Sequence, residues 1–224
     1  MTGMRDAPKA DGGSQTLARG LRALALIGEA PTPVTVPMLA TELGVHRSMA
    51  YRLVRTLEQS GFVERMPGGT LAVGTRLAGI ARNVARDLQA VATPELLDVA
   101  NELDVTAFLV TYDGEAAVTL VSAEPHRAPA PVGQRPGTRH PVDRGAPGRV
   151  IRSQLDLVAH PPARYEVSRD EVVHGVTAVA VPLSVPGGRP ASLAVLYLSS
   201  RGLEPEQVVP RLEAAARAIG EALG

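Results

Sequence analysis

Residues 39–57, LATELGVHRSMAYRLVRTL, decide how the first part of the chain folds. Two helices crossing at a sharp turn need a small residue at the crossing, a glycine at the turn and apolar residues where the second helix packs back. Ala40, Gly44, Ala50 and Leu53 stand at relative positions 1, 5, 11 and 14 and meet those needs. Gly44 supplies the left-handed backbone that such a turn requires. With Ala50, Leu53, Val54 and Leu57 turned inward, the second helix presents Arg47, Ser48, Tyr51, Arg52 and Arg55 outward. In a helix-turn-helix the N-terminal part of that face enters the major groove of DNA. Arg47 has the fork to pair with a guanine edge and Ser48 can meet a base or a phosphate. Tyr51, Arg52 and Arg55 sit where side chains more often hold the backbone, which positions without specifying.

Taken alone, these positions also describe an amphipathic helix pair with arginines on a solvated face. The next residues tip the balance. Phe62–Arg65 and Leu71–Val73 are β-rich and flank Met66-Pro67-Gly68-Gly69-Thr70, which predicts a hairpin over 61–74. Such a wing brings Arg65 and the Gly68-Gly69 tip near the DNA backbone.

Working outward, Leu17, Leu21, Leu24 and Ile27 form one helical stripe, stopped by Gly28 and Pro31-Thr32-Pro33. Thr35 is a candidate N-cap for the short helix before Gly44. Residues 75–91 read as one linker helix, whose stripe of Leu77, Ile80, Val84 and Leu88 is expected to pack against a second subunit. A second unit begins near Ala92. Thr93-Pro94 predicts a helix start, running to Leu103. Strands are expected over 106–112 and 115–121, joined at Asp113-Gly114. Residues 125–148 read mostly as loop, 176–185 and 193–198 as strands, and 205–223 as a closing helix. The fold class is therefore α+β. The expected division is a flexible arm (1–13), a winged helix-turn-helix (14–74), a linker and dimerisation helix (75–91) and a sheet-based unit (92–224).

Composition narrows the function classes. The 224 residues carry 23 basic and 23 acidic side chains, so there is no global basic field. Residues 14–74, however, hold six arginines against four glutamates, and residues 75–224 hold fifteen against seventeen acids. That asymmetry has the sign expected for an N-terminal contact with a polyanion. With no cysteine, disulfides and thiol chemistry are excluded. The five histidines lack metal-ligand spacing, and His140 near Asp143 and Arg144 reads as part of a polar loop. No nucleophile elbow or phosphate-binding glycine pattern occurs, so neither an enzyme nor a cofactor is expected. Neither a membrane span nor a signal-type apolar run is present, and a cytoplasmic protein is expected.

Residues 20–82, with GLRALALIGEA, LATELGVHRSMAYRLVRTLEQSGFVER and LAVGTRLAGIA, resemble the N-terminal domain of IclR-type transcriptional regulators. Arg47, Ser48, Tyr51, Arg52, Leu53, Thr56, Leu57, Gly74 and Leu77 match the family's pattern or replace it conservatively. His46 stands where Pro is common and Met49 where Thr is common, which puts the base preference in question. A weaker resemblance continues through 97–103, 108–114, 131–133, 145–148 and 171–182 into the family's GAF-like effector domain. Here that domain is shortened, with thirteen residues between Ile151 and Tyr165. The resemblance implies a repressor bound to a double-stranded DNA operator as a homodimer or homotetramer. It also implies a small-molecule effector held near Gly145, Ala146, Ser168, Ala178, Leu196 and Leu198. Backbone N–H groups at Gly145-Ala146 would supply donors. Opposite them, Ala178, Leu196 and Leu198 offer no hydrogen bonds, so small acids should bind poorly and a larger, more apolar ligand is expected. Packed core with no ligand is the competing reading of those strands. Two other functions compete: a regulator whose second domain only oligomerises, and a winged-helix adaptor that binds protein.

Overall fold

The structure, a computed structural model, describes residues 13–127 and 131–224, so the expected arm lies outside the described residues apart from Gly13. The chain divides into two compact units between Val84 and Ala85.

The first unit starts with α1 (Gln15–Glu29), N-capped by Ser14. A short strand β1 (Val34–Thr35) leads into α2 (Val36–Leu43), and α3 spans Arg47–Gln59. Gly44 closes α2 with φ 63°, and its N–H reaches back to the carbonyls of Ala40 and Thr41. Strands β2 (Val63–Arg65) and β3 (Thr70–Val73) pair antiparallel, and β1 adds to the far edge of β3. Ala23, Ile27, Val36, Leu39, Ala50 and Val54 form the core between helices and sheet. Each leucine buried as fully as Leu39 contributes roughly 2–3 kcal/mol. The outer end of the α1 stripe is different: Leu17 and Leu21 are exposed, and only Ala23 and Ile27 are buried.

The expected continuous helix over 75–91 is two helices. The first, α4, covers Arg76–Ala81, and α5 covers Arg86–Leu103. Ala85 sits between them in the left-handed region, φ 45°, a conformation costing a residue with a Cβ about 1–2 kcal/mol. Leu88 is buried in the core of the second unit, which removes it from the stripe expected to meet another subunit. Ile80 and Val84 stay exposed. Thr93-Pro94 likewise fails as a helix start. Pro94 lies inside α5 on its exposed side, because Leu88, Ala92, Leu96 and Val99 pack into one core across it. Tertiary burial here outweighs a local start signal.

The second unit is a six-stranded antiparallel sheet in the order β6-β5-β4-β9-β8-β7. These strands are β4 (Thr106–Tyr112), β5 (Ala117–Ala123), β6 (Arg139–His140), β7 (Glu166–Arg169), β8 (Val176–Leu183) and β9 (Ala191–Leu198). Alternation sorts their side chains to two covered faces. Leu109, Val179, Val181, Leu193 and Val195 face α5 and α7 (Pro205–Leu223). Phe108, Val110, Ala180, Ala194 and Leu196 face α6 (Gly145–Leu155). Both β6 and α6 fall in or begin within the stretch expected to be loop, and β7 was not foreseen. The Asp113-Gly114 joint is also longer than expected. Asp113 accepts from the N–H groups of Glu115 and Ala116, so β5 starts only at Ala117.

Candidate functional sites

The outer face of α3 is set by its N-cap. His46 accepts from the Ser48 N–H at 3.3 Å, and its Nδ1 lies 2.9 Å from the Ser48 hydroxyl. With Ala50, Leu53 and Val54 buried below, Arg47, Ser48, Tyr51, Arg52 and Arg55 are all exposed on the opposite side. Among the described residues none of Arg47, Arg52 and Arg55 has a carboxylate partner. At the hairpin tip Gly68 lies exposed and Gly69 half-buried, closed by the Met66 N–H on the Thr70 carbonyl. Arg65 differs from the arginines of α3. Its Nε is 3.0 Å from Glu58 Oε1 on α3, so its charge is already partnered within the unit. Arg76, unassigned at the sequence level, donates to the Ser60 carbonyl and lies over the Phe62 ring, tying α4 to the hairpin base.

In the second unit a cavity of about 160 Å³ lies on the α6 side of the sheet. Its floor is Phe108, Ala178 and Leu196, and its walls come from the start of α6 and the segments 132–140 and 171–176. A small residue helps make the space, since Ala178 stands where a larger side chain would fill it. Gly145, Ser168, Ala178 and Leu196 line this cavity together. Ala146 is wholly buried and contributes its backbone alone, its N–H donating to Ser168 Oγ at 3.1 Å. Leu198 does not join them. It pairs with Val176 at the sheet's end, is 45% exposed, and borders a neighbouring hollow. The volume is close to the roughly 150 Å³ of a cavity that takes benzene, a molecule larger than a two- or three-carbon acid.

Polar groups on these walls were missed in the sequence. Glu171 accepts from the Gly145 N–H at 3.1 Å, and Gly145 has φ 72°, the left-handed region that favours glycine. Arg149, one turn into α6, holds both oxygens of Glu171 at 2.9 and 2.6 Å. It also donates to Glu166 and to the Val167 carbonyl. Burial alone would raise the Glu171 carboxyl. The Arg149 and Gly145 hydrogen bonds and the charges of Arg149 and Arg144 outweigh it and hold the carboxyl below its ordinary range. His140 lines the cavity, and its Nε2 is buried without a hydrogen-bond partner. Burial pushes this imidazole down, toward the neutral form. Glu171 and His140 had no local signature; only the fold carries them to the start of α6.

A helix-turn-helix with a hairpin wing, followed by an antiparallel-sheet unit with its own cavity, defines a two-unit winged-helix protein. The IclR helix-turn-helix domain matches residues 16–67, and in this the chain is similar to the IclR-type transcriptional regulators. It is 30% identical over 154 residues to the transcriptional repressor IclR of Escherichia coli, an alignment covering 65% of this chain and 55% of that one. It is 27% identical over 148 residues to the HTH-type transcriptional regulator TtgV of Pseudomonas putida, covering 64% and 56%. The matches thus span about half the length of these curated relatives. The crystal structure of an IclR transcriptional regulator from Alicyclobacillus acidocaldarius superposes with a TM-score of 0.79 at 26% identity. That match covers 95% of this chain and 100% of the other. Among the described residues no helix is long and apolar enough to cross a membrane.

Proposed function

We propose that this chain is a cytoplasmic DNA-binding repressor that sits on its operator as a homodimer or higher oligomer and responds to a small molecule in its second unit. One observation carries the DNA-binding part: three arginines, Arg47, Arg52 and Arg55, project from one exposed helical face with no carboxylate among the described residues to neutralise them. A protein does not gain stability from such an array, whereas a phosphate backbone does neutralise it. Arg47 and Ser48 at the start of α3 read bases. Tyr51, Arg52 and Arg55 hold phosphates, and the Gly68-Gly69 tip lets the hairpin approach the backbone closely. A single module of this size reads few base pairs, so two copies on a symmetric site provide the affinity. The exposed Ile80 and Val84, with Leu77, are the side chains we assign to contact between copies.

The test is fluorescence anisotropy with random double-stranded DNA at low and moderate salt. Binding should weaken steeply with salt, and the triple variant Arg47→Ala, Arg52→Ala, Arg55→Ala should lose it. Unchanged affinity in that variant would sink the recognition-helix assignment. Absence of DNA binding at low salt would favour the protein-binding adaptor instead.

A further inference from the structure

The two backbone donors that open α6 are the natural place for a ligand carboxylate in this cavity. Both are occupied by the protein itself, the Gly145 N–H by Glu171 and the Ala146 N–H by Ser168 Oγ. An entering acid would therefore find its donors taken and would lie beside the Glu171 carboxylate. The surrounding charges do not offset this. Arg149 is spent on Glu166 and Glu171, and Arg144 donates to the Glu171 carbonyl, so two guanidinium groups face two carboxylates. Arg139, the arginine that itself lines the cavity, is held by Asp113 and Glu115 at 2.9 and 3.2 Å. A ligand cation gains nothing either, because Glu171 already has its counter-ion. The rest of the wall is mostly apolar, from Phe108, Val132, Val176, Ala178 and Leu196, with Gln134, Thr138 and the His140 imidazole as its neutral polar groups.

We infer that the cavity takes an uncharged, mostly apolar molecule of about the size of a monocyclic ring, and that Glu171 is the specificity residue that excludes carboxylates by standing in their place. This rests on the effector-sensing reading of the second unit, and it adds the class of ligand and the residue that selects it. Glu171 acts without chemistry. It fills the anion position at the helix start and leaves neutral ligands to be judged by shape and apolar contact.

The experiment compares isosteric acid and amide pairs, benzoate with benzamide and isobutyrate with isobutyramide, by ligand-observed NMR and calorimetry on the full chain. Wild type should bind an amide at least about tenfold more tightly than its acid, since the acid must desolvate without pairing. Glu171→Gln should narrow that ratio to within about threefold by improving the acid. Ala178→Leu, which fills the floor, should abolish both and so place the binding in this cavity. The unfolding temperature of each variant, measured without ligand, separates a lost preference from a lost fold. Wild-type preference for the acids overturns the role of Glu171 while leaving the sensing reading intact. An unchanged ratio in folded Glu171→Gln does the same. Failure of every acid and amide to bind wild type overturns the ligand and the sensing reading together, without touching DNA binding.

Discussion

The arginines of α3 and six arginines of the second unit behave in opposite ways. On α3, Arg47, Arg52 and Arg55 stand exposed and unpartnered among the described residues. In the second unit, Arg139, Arg149, Arg164, Arg169, Arg201 and Arg211 each hold a carboxylate. On the proposed reading, the same side chain serves recognition in one place and construction in the other. Exposure alone does not separate the roles, since Arg164 is as solvated as a recognition residue. What separates them is whether the chain supplies the counter-charge.

The comparison breaks most visibly at Arg149. Replacing it with Ala leaves Glu166 and Glu171 partly buried without their cation and removes the Val167 bond, which should cost the second unit about 2–3 kcal/mol. The corresponding substitutions at Arg47, Arg52 or Arg55 should change stability by no more than about 0.5 kcal/mol. Calorimetric unfolding of the four variants checks this. A loss at α3 equal to that at Arg149 would end the distinction.

Operator binding sharpens the contrast within the first unit. Arg47→Ala should cost about 1–3 kcal/mol at one base pair and relax the preference there. Arg52→Ala and Arg55→Ala should weaken all sequences alike, each flattening the log–log salt slope by about 0.9. Arg65→Ala should flatten it less than either, because Glu58 already holds that guanidinium. Anisotropy titrations at several salt concentrations would rank the three, and an Arg65 effect equal to that of Arg52 would show that the Glu58 pair opens on DNA.

Acidification tests the second unit by itself. His140 is pushed below 6.5 by burial, so the unfolded chain takes up a proton first as pH falls through 6.5, and stability declines from there. Glu171 is held below 4.5, so the stability it contributes is present above 4.5 and lost as pH falls further. Urea midpoints of the second unit should therefore drop in two stages. His140→Gln should flatten the upper stage and Glu171→Gln the lower. A midpoint that rises on acidification would contradict both.

How much of this was legible in the sequence follows the same division. The helix-turn-helix and hairpin depend on neighbours in the chain, so spacing and turn glycines revealed α2, α3, β2 and β3. The 106–112 strand was legible because every residue in it suits a covered sheet, and the closing helix because Pro205 opens it. The break at Ala85 was not, because it follows from Leu88 joining a core assembled from distant strands. The cavity was half legible. Ala178 and Leu196 could be assigned through resemblance, but Glu171 reaches back to Gly145 from 26 positions further along the chain, and no local pattern encodes that meeting. Leu198 failed for a related reason. Period-two alternation puts it on the same face as Leu196, yet the sheet ends before the cavity reaches it.

The smallest expected effect lies at His46, where the division between recognition and construction is least clean. Its imidazole accepts the Ser48 N–H, an orphan donor of the first turn of α3, and also engages the Ser48 hydroxyl. His46→Ala should therefore cost the first unit about 1 kcal/mol as a lost N-cap. His46→Asn, whose side-chain oxygen caps as well, should restore most of it. Ser48 supplies the second readout. Freed from His46, its hydroxyl turns to solvent or DNA, so the Ala variant should change base preference next to the Arg47 contact more than it changes overall affinity. Equal stability of the Ala and Asn variants would remove the cap. An unchanged base preference would leave Ser48 a structural residue, and recognition at the start of α3 would then rest on Arg47.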